Sequence, residues 1–390
     1  MISVAEALEQ LFALAEPLGS EEVPLARANG RVLTAPVTAL RDQPPFPASA
    51  MDGYAVIGDE VRPGARFTVT GEAAAGRAFA GTVAPGEAVR IFTGAPVPPG
   101  ATRVVIQEDV TREGATITLS DRLDSATHIR GAGIDFTRGQ TIPAPRRLRP
   151  AEIALAASMN AGSLTVARRP RVALISTGDE LVLPGDRPGP DQIVASNTFG
   201  LAALLEANGA EARILPIARD TVESLTTTFD LAMDADLIVT IGGASVGDHD
   251  LVGPVARDLG MEQSFYKVAM RPGKPLMAGR LRGVPMIGLP GNPVSAMVCG
   301  HVFLLPVIDA MQGLPAMPRP LLETTLAADI GANGPRAHYM RARLTPEGIT
   351  PFESQDSALL SILGAADALL VRPPQAPAAK AGTTVSYLPL

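Results

Sequence analysis

The spacing of hydrophobic and polar residues predicts that the chain opens with an amphipathic helix. Leu8, Leu11 and Phe12 recur at helical intervals on one face, and Ser3 and Glu6 have the spacing of a capping box. The segment lacks the basic start of a signal peptide, so we interpret it as part of the folded protein.

From residue 41 to 138 the pattern changes to short runs with strand-like alternation, among them "RFTVT", "AVRIFTG", "TRVVIQEDV" and "ATITL". Glycine and proline turns separate these runs, which predicts a β domain. The helical pattern before it and the helix-like "RPAEIALAASMNAG" after it could pack together. We therefore predict an elongated, mostly helical N-terminal domain (1–40 plus 139–167) with the β domain (41–138) inserted into it.

Between residues 168 and 311, apolar runs alternate with glycine-containing turns and helical patterns, as in "RVALISTGDEL" and "ADLIVTIGGASVGD". This alternation predicts an α/β domain with a parallel-type sheet, in which ligands bind at the carboxyl ends of the strands. Short strand-like pieces from 312 to 390 predict a small C-terminal β domain, similar to a barrel. The expected fold class is therefore multidomain, α/β plus β.

Composition narrows the classes of function. A chain of 390 residues is too long for one ordinary core, and 46% hydrophobic residues are enough for several globular units. A net charge of -7 and 4% aromatic residues disfavour a nucleic-acid partner. One cysteine and four histidines without zinc-ligand spacing suit a reducing compartment, so we expect a cytoplasmic protein. The long apolar stretch from Pro293 to Met311 contains a histidine, a proline and an aspartate, and we interpret it as a buried helix rather than a membrane span.

The run "LIVTIGGASVGDHD" predicts a buried strand that ends in an anion-binding turn. Its glycines leave backbone N–H groups free to face a phosphate. A nucleoside-triphosphate P-loop would continue with Lys and Ser/Thr, whereas this chain has Asp248, so the ordinary NTPase interpretation fails. Asp248 and Asp250 are suited to hold Mg²⁺ beside a pyrophosphate; alternatively, both cap the following helix.

Other predicted strands also end in turns that carry polar or charged residues, or prolines that restrict the backbone. "ISTGDEL" supplies hydroxyls and the carboxylate of Glu180, and "KVAMRPGKP" supplies cations around a Pro-Gly turn. "GLPGNPVSA" places one proline in a turn and another at a helix start. Each loop alone could be an ordinary turn. Four such loops at the ends of consecutive strands favour a binding site for an anion together with a metal ion.

The stretch "PPFPASAMDGYAV" places three prolines just before Asp52 and Gly53. The prolines reduce backbone freedom and would present Asp52 at a defined place, while Gly53 leaves room for a backbone or a ligand. The alternative for this motif alone is an ordinary turn.

Six motifs in order, "SAMDGYA", "TGAPVP", "STGDEL", "GGASVGDHD", "RPGKP" and "GLPGNPVSA", resemble those of the molybdopterin molybdenumtransferase family, which includes the E domain of gephyrin. The resemblance covers nearly the whole chain. It implies a four-domain elongated subunit that forms a homodimer, with a third domain similar to the molybdopterin adenylyltransferase fold. It also implies Mg²⁺-dependent insertion of molybdate into adenylylated molybdopterin with release of AMP.

The resemblance also assigns roles to residues, in a site shared between the second domain of one subunit and the third domain of its partner. Arg271 departs from the family, which more often has Lys at this position. The implied catalytic residues are Asp52, Thr93, Asp135, Glu180, Asp220 and Asp250. The implied metal ligands are Glu180, Asp220, Asp248 and Asp250. The implied substrate-binding residues are Gly242, Gly243, Ser245, Gly247, Lys267, Arg271, Lys274, Pro290, Pro293, Arg341 and Ser354.

Two other functions compete with insertion. A molybdopterin adenylyltransferase would bind the same pterin with ATP, but that domain usually occurs without an N-terminal β insertion. A non-catalytic scaffold of the gephyrin E-domain type would not need acids that converge on one pocket. Molybdate and tungstate have nearly the same size and charge, so no residue discriminates between them. The resemblance further implies transient contact with molybdopterin adenylyltransferase and with molybdoenzyme clients, and no membrane partner.

Overall fold

The computed structural model describes residues 1–243 and 251–390. The first part of the chain contains helix α1 (Val4–Leu14) and strands β1 (Ser20–Pro24), β2 (Val32–Leu33) and β3 (Val37–Thr38). Residues 41–138 contain β4 (Ala48–Ser49), β5 (Gly53–Val56), β6 (Arg66–Ala73), β7 (Glu87–Ile91), β8 (Arg103–Ile106), β9 (Val110–Glu113), β10 (Thr116–Leu119) and β11 (Ile129–Arg130). Residues 139–167 contain β12 (Thr141–Ile142), β13 (Arg146–Arg147), α2 (Pro150–Ser158) and β14 (Ser163–Ala167).

The second half of the chain contains the larger sheet and most of the helices. Residues 168–311 contain β15 (Arg171–Ser176), β16 (Leu181–Val182), β17 (Ile193–Val194), α3 (Asn197–Ala207), β18 (Glu211–Ile214), α4 (Val222–Ala232), β19 (Leu237–Ile241), α5 (Val252–Asp258), β20 (Met261–Tyr266), β21 (Met270–Arg271), β22 (Met277–Leu281), β23 (Val284–Leu289), α6 (Pro293–Cys299) and α7 (Leu305–Met311). Residues 312–390 contain β24 (Leu322–Thr325), β25 (Ala337–Thr345), β26 (Gly348–Pro351), α8 (Leu360–Gly364), β27 (Ala368–Arg372) and β28 (Thr384–Pro389).

The N-terminal unit is mainly a sheet, which corrects the expectation of a mostly helical domain. Strands β1, β14, β2 and β13 form one antiparallel sheet in that order, and α2 packs on it through Ala156. The first helix was predicted correctly, with its capping box, but Leu8 and Leu11 are buried in the core of the α/β unit. A backbone bridge between Ile2 and Val268 fixes this position. Periodicity shows which face of a helix is apolar, but it does not show which surface that face meets.

The inserted unit is built from short strands, as its turn-rich pattern predicted. Six strands form a sheet in the order β8, β5, β7, β6, β10, β9, and two small hydrophobic clusters pack around it. The runs "RFTVT" and "ATITL" lie in β6 and β10. A second pairing joins β4 to β11, so the segment before Asp52 runs beside the segment before Asp135.

The α/β unit has a six-stranded sheet in the order β18, β15, β19, β23, β22, β20. The first four strands are parallel, whereas β22 is antiparallel to both of its neighbours. Alternate side chains of β15 enter different cores: Leu174 joins a cluster with α3 and α7, and Ala173 joins a cluster with α4 and α5. Helices therefore cover both faces, which is why the strands are apolar throughout.

The apolar segment Pro293–Met311 forms one helix of 19 residues, with 89% of its 18-residue window buried, as expected for a core helix. Among the described residues it is the one helix long and apolar enough to cross a membrane. Gly300–Leu304 is π-helical. The widening precedes Pro306, which lacks an N–H and whose ring crowds the carbonyl four residues earlier.

The C-terminal unit is a sheet in the order β21, β25, β27, β28, β24, with β26 paired to the outer part of β25. A bridge between Leu326 and Ile349 brings β24 to β26 and closes the sheet into a barrel-like shape. Strand β21 comes from the α/β unit and pairs in parallel with β25. The "RPGKP" loop therefore begins where the two units share a sheet.

Candidate functional site

The loops singled out in the α/β unit begin at one edge of its sheet, as far as residues 1–243 and 251–390 show. Strands β18, β15, β19 and β23 are parallel, so their carboxyl ends coincide. Strand β20 also ends there, and β22 starts there, because Tyr266 pairs with Met277 and Met277 pairs with Gly288. Acidic loops follow β15 and β18, a glycine turn follows β19, and the basic segment follows β20. Along this edge the loops therefore change from acidic, after β18 and β15, to basic, after β20.

The two acidic loops are held side by side. Thr177 forms a parallel bridge with Ala218, and the Arg219 guanidinium donates to the carbonyl oxygens of Asp179 (2.9 Å) and Leu181 (3.1 Å). An Asp179 carboxylate oxygen accepts from the backbone N–H of Asp220 at 3.1 Å. These contacts bring the loop that carries Glu180 next to the loop that carries Asp220.

Glu180 lies folded over the tight turn that precedes it. A Cβ on Gly178 would stand 2.8 Å from Glu180 Oε1, and Gly178 has a φ of +144°. The Glu180 carbonyl also accepts from Ile193 at 2.8 Å, where the chain returns towards α3. Glycine is thus required for this carboxylate to approach its own loop.

The glycine turn after β19 is determined by close backbone packing. Gly242 and Gly243 have φ angles of +94° and +63°, and a Cβ on Gly242 would lie 2.9 Å from the Thr177 carbonyl oxygen. A Cβ on Gly243 would overlap the Val252 side chain. The Thr177 hydroxyl beside this turn is buried and has no hydrogen-bond partner in the described structure. The other predicted residues of this loop, Ser245, Gly247, Asp248 and Asp250, lie outside the described residues.

Of the predicted metal ligands, the structure places Glu180 and Asp220 on adjoining loops. Carboxylate oxygens are the donors that Mg²⁺ prefers. No group of three or more His, Cys, Asp or Glu side chains within residues 1–243 and 251–390 is arranged to hold a metal. Glu180 and Asp220 therefore supply the type of donor that suits Mg²⁺, on two loops that adjoin.

The "GLPGNP" turn borders the glycine turn. Pro293 begins α6, as predicted, and Pro290 is buried. Asn197, at the start of α3, donates from Nδ2 to the Gly291 carbonyl at 2.7 Å. Asn197 was not predicted as a site residue, because an Asn at a helix start is an ordinary feature and its partner lies 94 residues away along the chain.

The basic segment contains a strained residue. Lys267 has a φ of +70°, a conformation that costs a non-glycine residue about 1–2 kcal/mol. Two backbone hydrogen bonds hold it: Lys267 N–H donates to Leu276 O (2.8 Å), and Val268 N–H donates to Lys274 O (3.0 Å). Lys267 Nζ lies 4.7 Å from the centre of the Tyr266 ring. Strained residues of this kind cluster at functional sites, and Lys267 is one of the predicted substrate ligands.

Arg341 is the largest fully buried side chain in the described structure. Its Nη2 donates to the Asp356 carbonyl at 2.9 Å, while Nε and Nη1 have no partner among the described residues. Burial, followed by the nearby Arg271 cation, lowers the pKa of Arg341. Arg341 Nη2 also donates to the carbonyl oxygen of the predicted Ser354, at 3.4 Å. Arg271 and Lys274 are exposed, so the basic group extends from the surface to a buried guanidinium.

In the inserted unit the structure brings Asp52 and Thr93 together. Asp52 Oδ1 accepts from the Thr93 backbone N–H at 2.7 Å and from its hydroxyl at 2.8 Å. These two bonds hold the pKa of Asp52 below its usual value. Gly53 is required because a Cβ there would overlap the Val105 carbonyl. The close neighbour of Gly53 is thus backbone of the same unit.

Asp135 lies on the adjoining segment of the same unit. Its backbone N–H donates to Gln43 O at 3.0 Å, and the strand pair β4–β11 places Ile129 opposite Ser49. The Asp135 side chain is exposed. Asp52 and Thr93 therefore form a second group of predicted residues within the inserted unit, whereas the antiparallel register places Asp135 beside Gln43, at the other end of the paired segments.

Three family models match the chain in succession. They are described as the MoeA N-terminal region (domain I and II), a probable molybdopterin binding domain, and the MoeA C-terminal region (domain IV), and they match residues 2–160, 173–310 and 323–390. A molybdopterin molybdenumtransferase of Nostoc sp. is 36% identical, with 96% of this chain and 90% of that protein covered. Molybdopterin molybdenumtransferase 2 of Mycobacterium tuberculosis is 37% identical, with 93% of each chain covered.

Solved structures agree with these matches. A crystal structure of the molybdopterin biosynthesis MoeA protein from Pyrococcus horikoshii has a TM-score of 0.81 and 28% identity, over 99% of this chain and 98% of that one. A second structure of the MoeA protein from this organism, at 24% identity, has a TM-score of 0.86 over the full length of both chains and shows the shared fold.

Proposed function

Because the chain belongs to the molybdopterin molybdenumtransferase family, we propose that it inserts molybdenum into molybdopterin during molybdenum cofactor biosynthesis. One structural observation carries the proposal: the acidic loops, the glycine turn and the basic segment follow one another along a single sheet edge. An arrangement of this kind suits two anionic reactants, one of them carried with a metal.

We further propose that the substrates are molybdate and adenylylated molybdopterin, and that AMP is released. Both substrates are oxygen-rich anions, so their approach costs Coulomb repulsion that cations must offset. Arg271, Lys274 and the unpartnered N–H groups of Arg341 are suited to receive the molybdate oxygens. Backbone N–H groups around Gly242 and Gly243 are suited to the pyrophosphate.

Mg²⁺ is part of the proposal. Glu180 and Asp220 would hold it, together with Asp248 and Asp250, and bound Mg²⁺ would neutralise the phosphate charge while the phosphoanhydride is cleaved. Arg219 keeps the two acidic loops in register, and Gly178 allows Glu180 to approach its own turn. The residues of the chain thus orient the carboxylates before the metal binds.

Asp52 is proposed to act as an ionised carboxylate that orients water or molybdate. An aspartate is ionised at neutral pH, and the two hydrogen bonds from Thr93 lower the pKa of Asp52 further because they favour the deprotonated form. Asp52 and Asp135 belong to a different unit from the acidic loops, which supports a homodimer in which the inserted unit of one subunit faces the α/β unit of the other. We place this reaction in the cytoplasm, with transient contacts to the adenylyltransferase and to molybdoenzyme clients.

The test supplies purified protein with adenylylated molybdopterin, Mg²⁺ and molybdate, and measures AMP release and reconstitution of a cofactor-free molybdoenzyme. Asp52→Ala and Asp250→Ala are each expected to abolish turnover and leave the fold and the dimer intact. Full activity in both variants would remove the site assignment. Protein that consumes ATP and adenylylates molybdopterin would instead be an adenylyltransferase, and protein that binds clients without releasing AMP would be a scaffold.

Mixing the two inactive variants tests the shared site. Heterodimers would contain one site with both acids intact, so partial AMP release should return. Failure to complement in confirmed heterodimers would contradict a site built from two subunits.

A further inference from the structure

Arg90 in the inserted unit lies between two aromatic rings. Its guanidinium carbon stands 5.0 Å from the centre of the Tyr54 ring and 4.8 Å from the centre of the Phe92 ring. Tyr54 on β5 lies directly opposite Arg90 on β7, and Phe92 follows Arg90 by two positions, so the three side chains share one face of the sheet. A planar guanidinium stacks well on aromatic faces. Contact with two rings restricts the side chain and fixes the direction of its N–H groups.

The N–H groups of Arg90 reach the residues around Asp52. Nη1 donates to the Gly53 carbonyl oxygen at 3.2 Å, and Nη2 donates to Gln107 Oε1 at 2.6 Å. The backbone N–H of Gln107 in turn donates to the Asp52 carbonyl oxygen at 3.0 Å. Both branches of the fork therefore lead to the backbone of Asp52 or of its direct neighbour.

Arg90 also contacts the segment that carries the hydrogen-bond partner of Asp52. Phe92, on which the guanidinium stacks, precedes Thr93, whose backbone N–H and hydroxyl donate to Asp52 Oδ1. Asp52 and Thr93 are 41 residues apart along the chain. Because Arg90 contacts Gly53 on one side and Phe92 on the other, it links the two segments that hold this pair.

The cation of Arg90 is not neutralised by an ion pair in the part of the chain that the structure describes. Glu72 on β6 lies opposite Arg90 in the strand register, but its carboxylate pairs with Arg77 at 2.8 Å. Gln107, which accepts from Arg90, is neutral. The positive charge therefore remains available to the aspartate beside it.

The ionisation of Asp52 responds to this charge. The two hydrogen bonds from Thr93 contribute most to the lowered pKa of Asp52, and the Arg90 cation lowers it further. Glu108 also faces the network, since its Oε1 accepts from Gln107 Nε2 at 3.3 Å. A side chain that only packed between two rings would not need a charge, whereas a cation beside a carboxylate favours the ionised form.

We propose that Arg90 is the positioning residue of the Asp52–Thr93 pair: it fixes the carboxylate in place and keeps a positive charge beside it during the reaction. The inference rests on the proposed function, because it takes Asp52 as the group that orients water or molybdate. Arg90 acts through Asp52 and does not itself contact the substrate. A misplacement of about 1 Å near the reacting atoms can lower a rate about 100-fold, so the effect belongs in kcat rather than in substrate binding.

The experiment compares variants of the purified full chain. Arg90→Gln removes the charge and the fork, whereas Arg90→Lys keeps the charge and can still contact the rings. Gln107→Leu removes one hydrogen bond and keeps the cation, and it serves as a second variant in case Arg90→Gln does not fold. Arg112→Gln is the matched control, because Arg112 lies in the same unit on the edge strand β9 and donates to the Gly114 carbonyl at 2.9 Å.

Two readouts need no turnover. Hydrogen exchange at the Thr93 amide, which donates to Asp52, should be about tenfold faster in Arg90→Gln and about threefold faster in Gln107→Leu. Exchange in β10 should stay at the wild-type rate, which shows that the unit remains folded. The pKa of Asp52, followed by carbon NMR with Asp52→Asn to assign the signal, should be higher in Arg90→Gln than in the wild type and in Arg90→Lys.

Turnover gives the third readout, as AMP release with adenylylated molybdopterin, Mg²⁺ and molybdate. Arg90→Gln should lower kcat about tenfold or more, leave the KM for the pterin substrate within about threefold, and move the acid limb of the kcat profile to higher pH. Arg90→Lys should recover part of kcat and return the acid limb towards the wild type. Arg112→Gln should match the wild type within about twofold. A purely structural role would reduce the amount of folded protein without moving the pH profile.

Equal Thr93 exchange and equal Asp52 pKa in the wild type and Arg90→Gln would overturn the inference about Arg90. An unchanged kcat and acid limb in Arg90→Gln would also overturn it, as would an Arg90→Lys variant that is as impaired as Arg90→Gln in every readout. Full activity of Asp52→Ala would instead remove the proposed role of Asp52. Because exchange and the Asp52 pKa are measured without turnover, the two failures are distinguishable.

Discussion

Replacing Arg341 with Met should stabilise the C-terminal unit and remove activity. Arg341 is fully buried, and two of its N–H groups have no partner in the described structure. The two unpartnered donors cost about 1–3 kcal/mol each, or about 2–6 kcal/mol together, whereas the lost hydrogen bond to the Asp356 carbonyl contributed about 1.5–3 kcal/mol. The backbone hydrogen bond from Arg341 to Gln355 remains, and Met fills a similar volume. We therefore expect a net gain of about 1–3 kcal/mol in the free energy of unfolding.

The assay must resolve this unit from the others, because several units in one chain do not unfold as two states. Hydrogen exchange at the amides of β25 and β27 reports the local free energy of opening. AMP release in the presence of molybdate measures the loss of function, which we expect to be about 100-fold or more, equivalent to about 2.7 kcal/mol of transition-state stabilisation. Arg341→Lys keeps the charge without the fork and should recover part of the activity.

The opposite result would refute the reasoning. If Arg341→Met destabilised β25 and β27 by more than about 2 kcal/mol and left AMP release unchanged, the guanidinium would be a structural group whose donors are satisfied. A stable, inactive variant is the signature of a residue kept for function at a cost in stability.

Three further predictions follow from other sites. The pKa values of His301 and His338 are lowered to about 4 by burial and by nearby arginines, so the unfolded chain binds protons below pH 6.5 before the folded protein does; hydrogen exchange in the helix that carries His301 and in β25 should show the local free energy of opening falling by about 2 kcal/mol per histidine from pH 7 to pH 5. Gly243→Ala should destabilise the protein by about 2–4 kcal/mol in the same assay, from left-handed strain plus overlap. Thr93→Val removes the hydroxyl bond to Asp52 and should raise the pKa of that carboxyl, which moves the acid limb of the kcat/KM profile to higher pH.

Each of these has a control. Replacing both histidines with Gln should flatten the pH dependence, and an unchanged slope would contradict their burial as neutral groups. Gly30 has a similar φ of +74°, but a Cβ added there would lie in open space. Gly30→Ala should therefore lower the stability only by the conformational strain. Thr93→Ser keeps the hydroxyl and should leave the acid limb in place; a shift as large as that of Val would refute the role of this bond.

Much of the candidate site was predictable because its signals are local. Gly242, Gly243 and Glu180 follow apolar runs that form parallel strands, and the carboxyl ends of such strands must lie at one edge, whereas Asp220 was implied only by the resemblance. The pairing of Asp52 with Thr93 was implied only by resemblance, since 41 residues separate the two along the chain.

Other features depended on register and on contacts between distant segments. The N-terminal unit was not predictable as a sheet, because β2 and β13 have two residues each and carry no measurable periodicity. The position of Asn197 and the cross-strand neighbours of His338 were not predictable for a related reason: no local pattern shows that His338 will lie between Arg271 and Arg372.

The sequence by itself determined the family, the alternation of strands and helices in the α/β unit, and the kind of residue at each strand end. These properties follow from side-chain polarity and backbone preference over a few neighbouring positions. Tertiary structure alone decided which surface α1 covers, that Arg341 is buried without full hydrogen bonding, and that basic residues from three strands face one another. The physical reason is that burial and cross-strand proximity depend on how remote segments pack, and local polarity does not encode that choice.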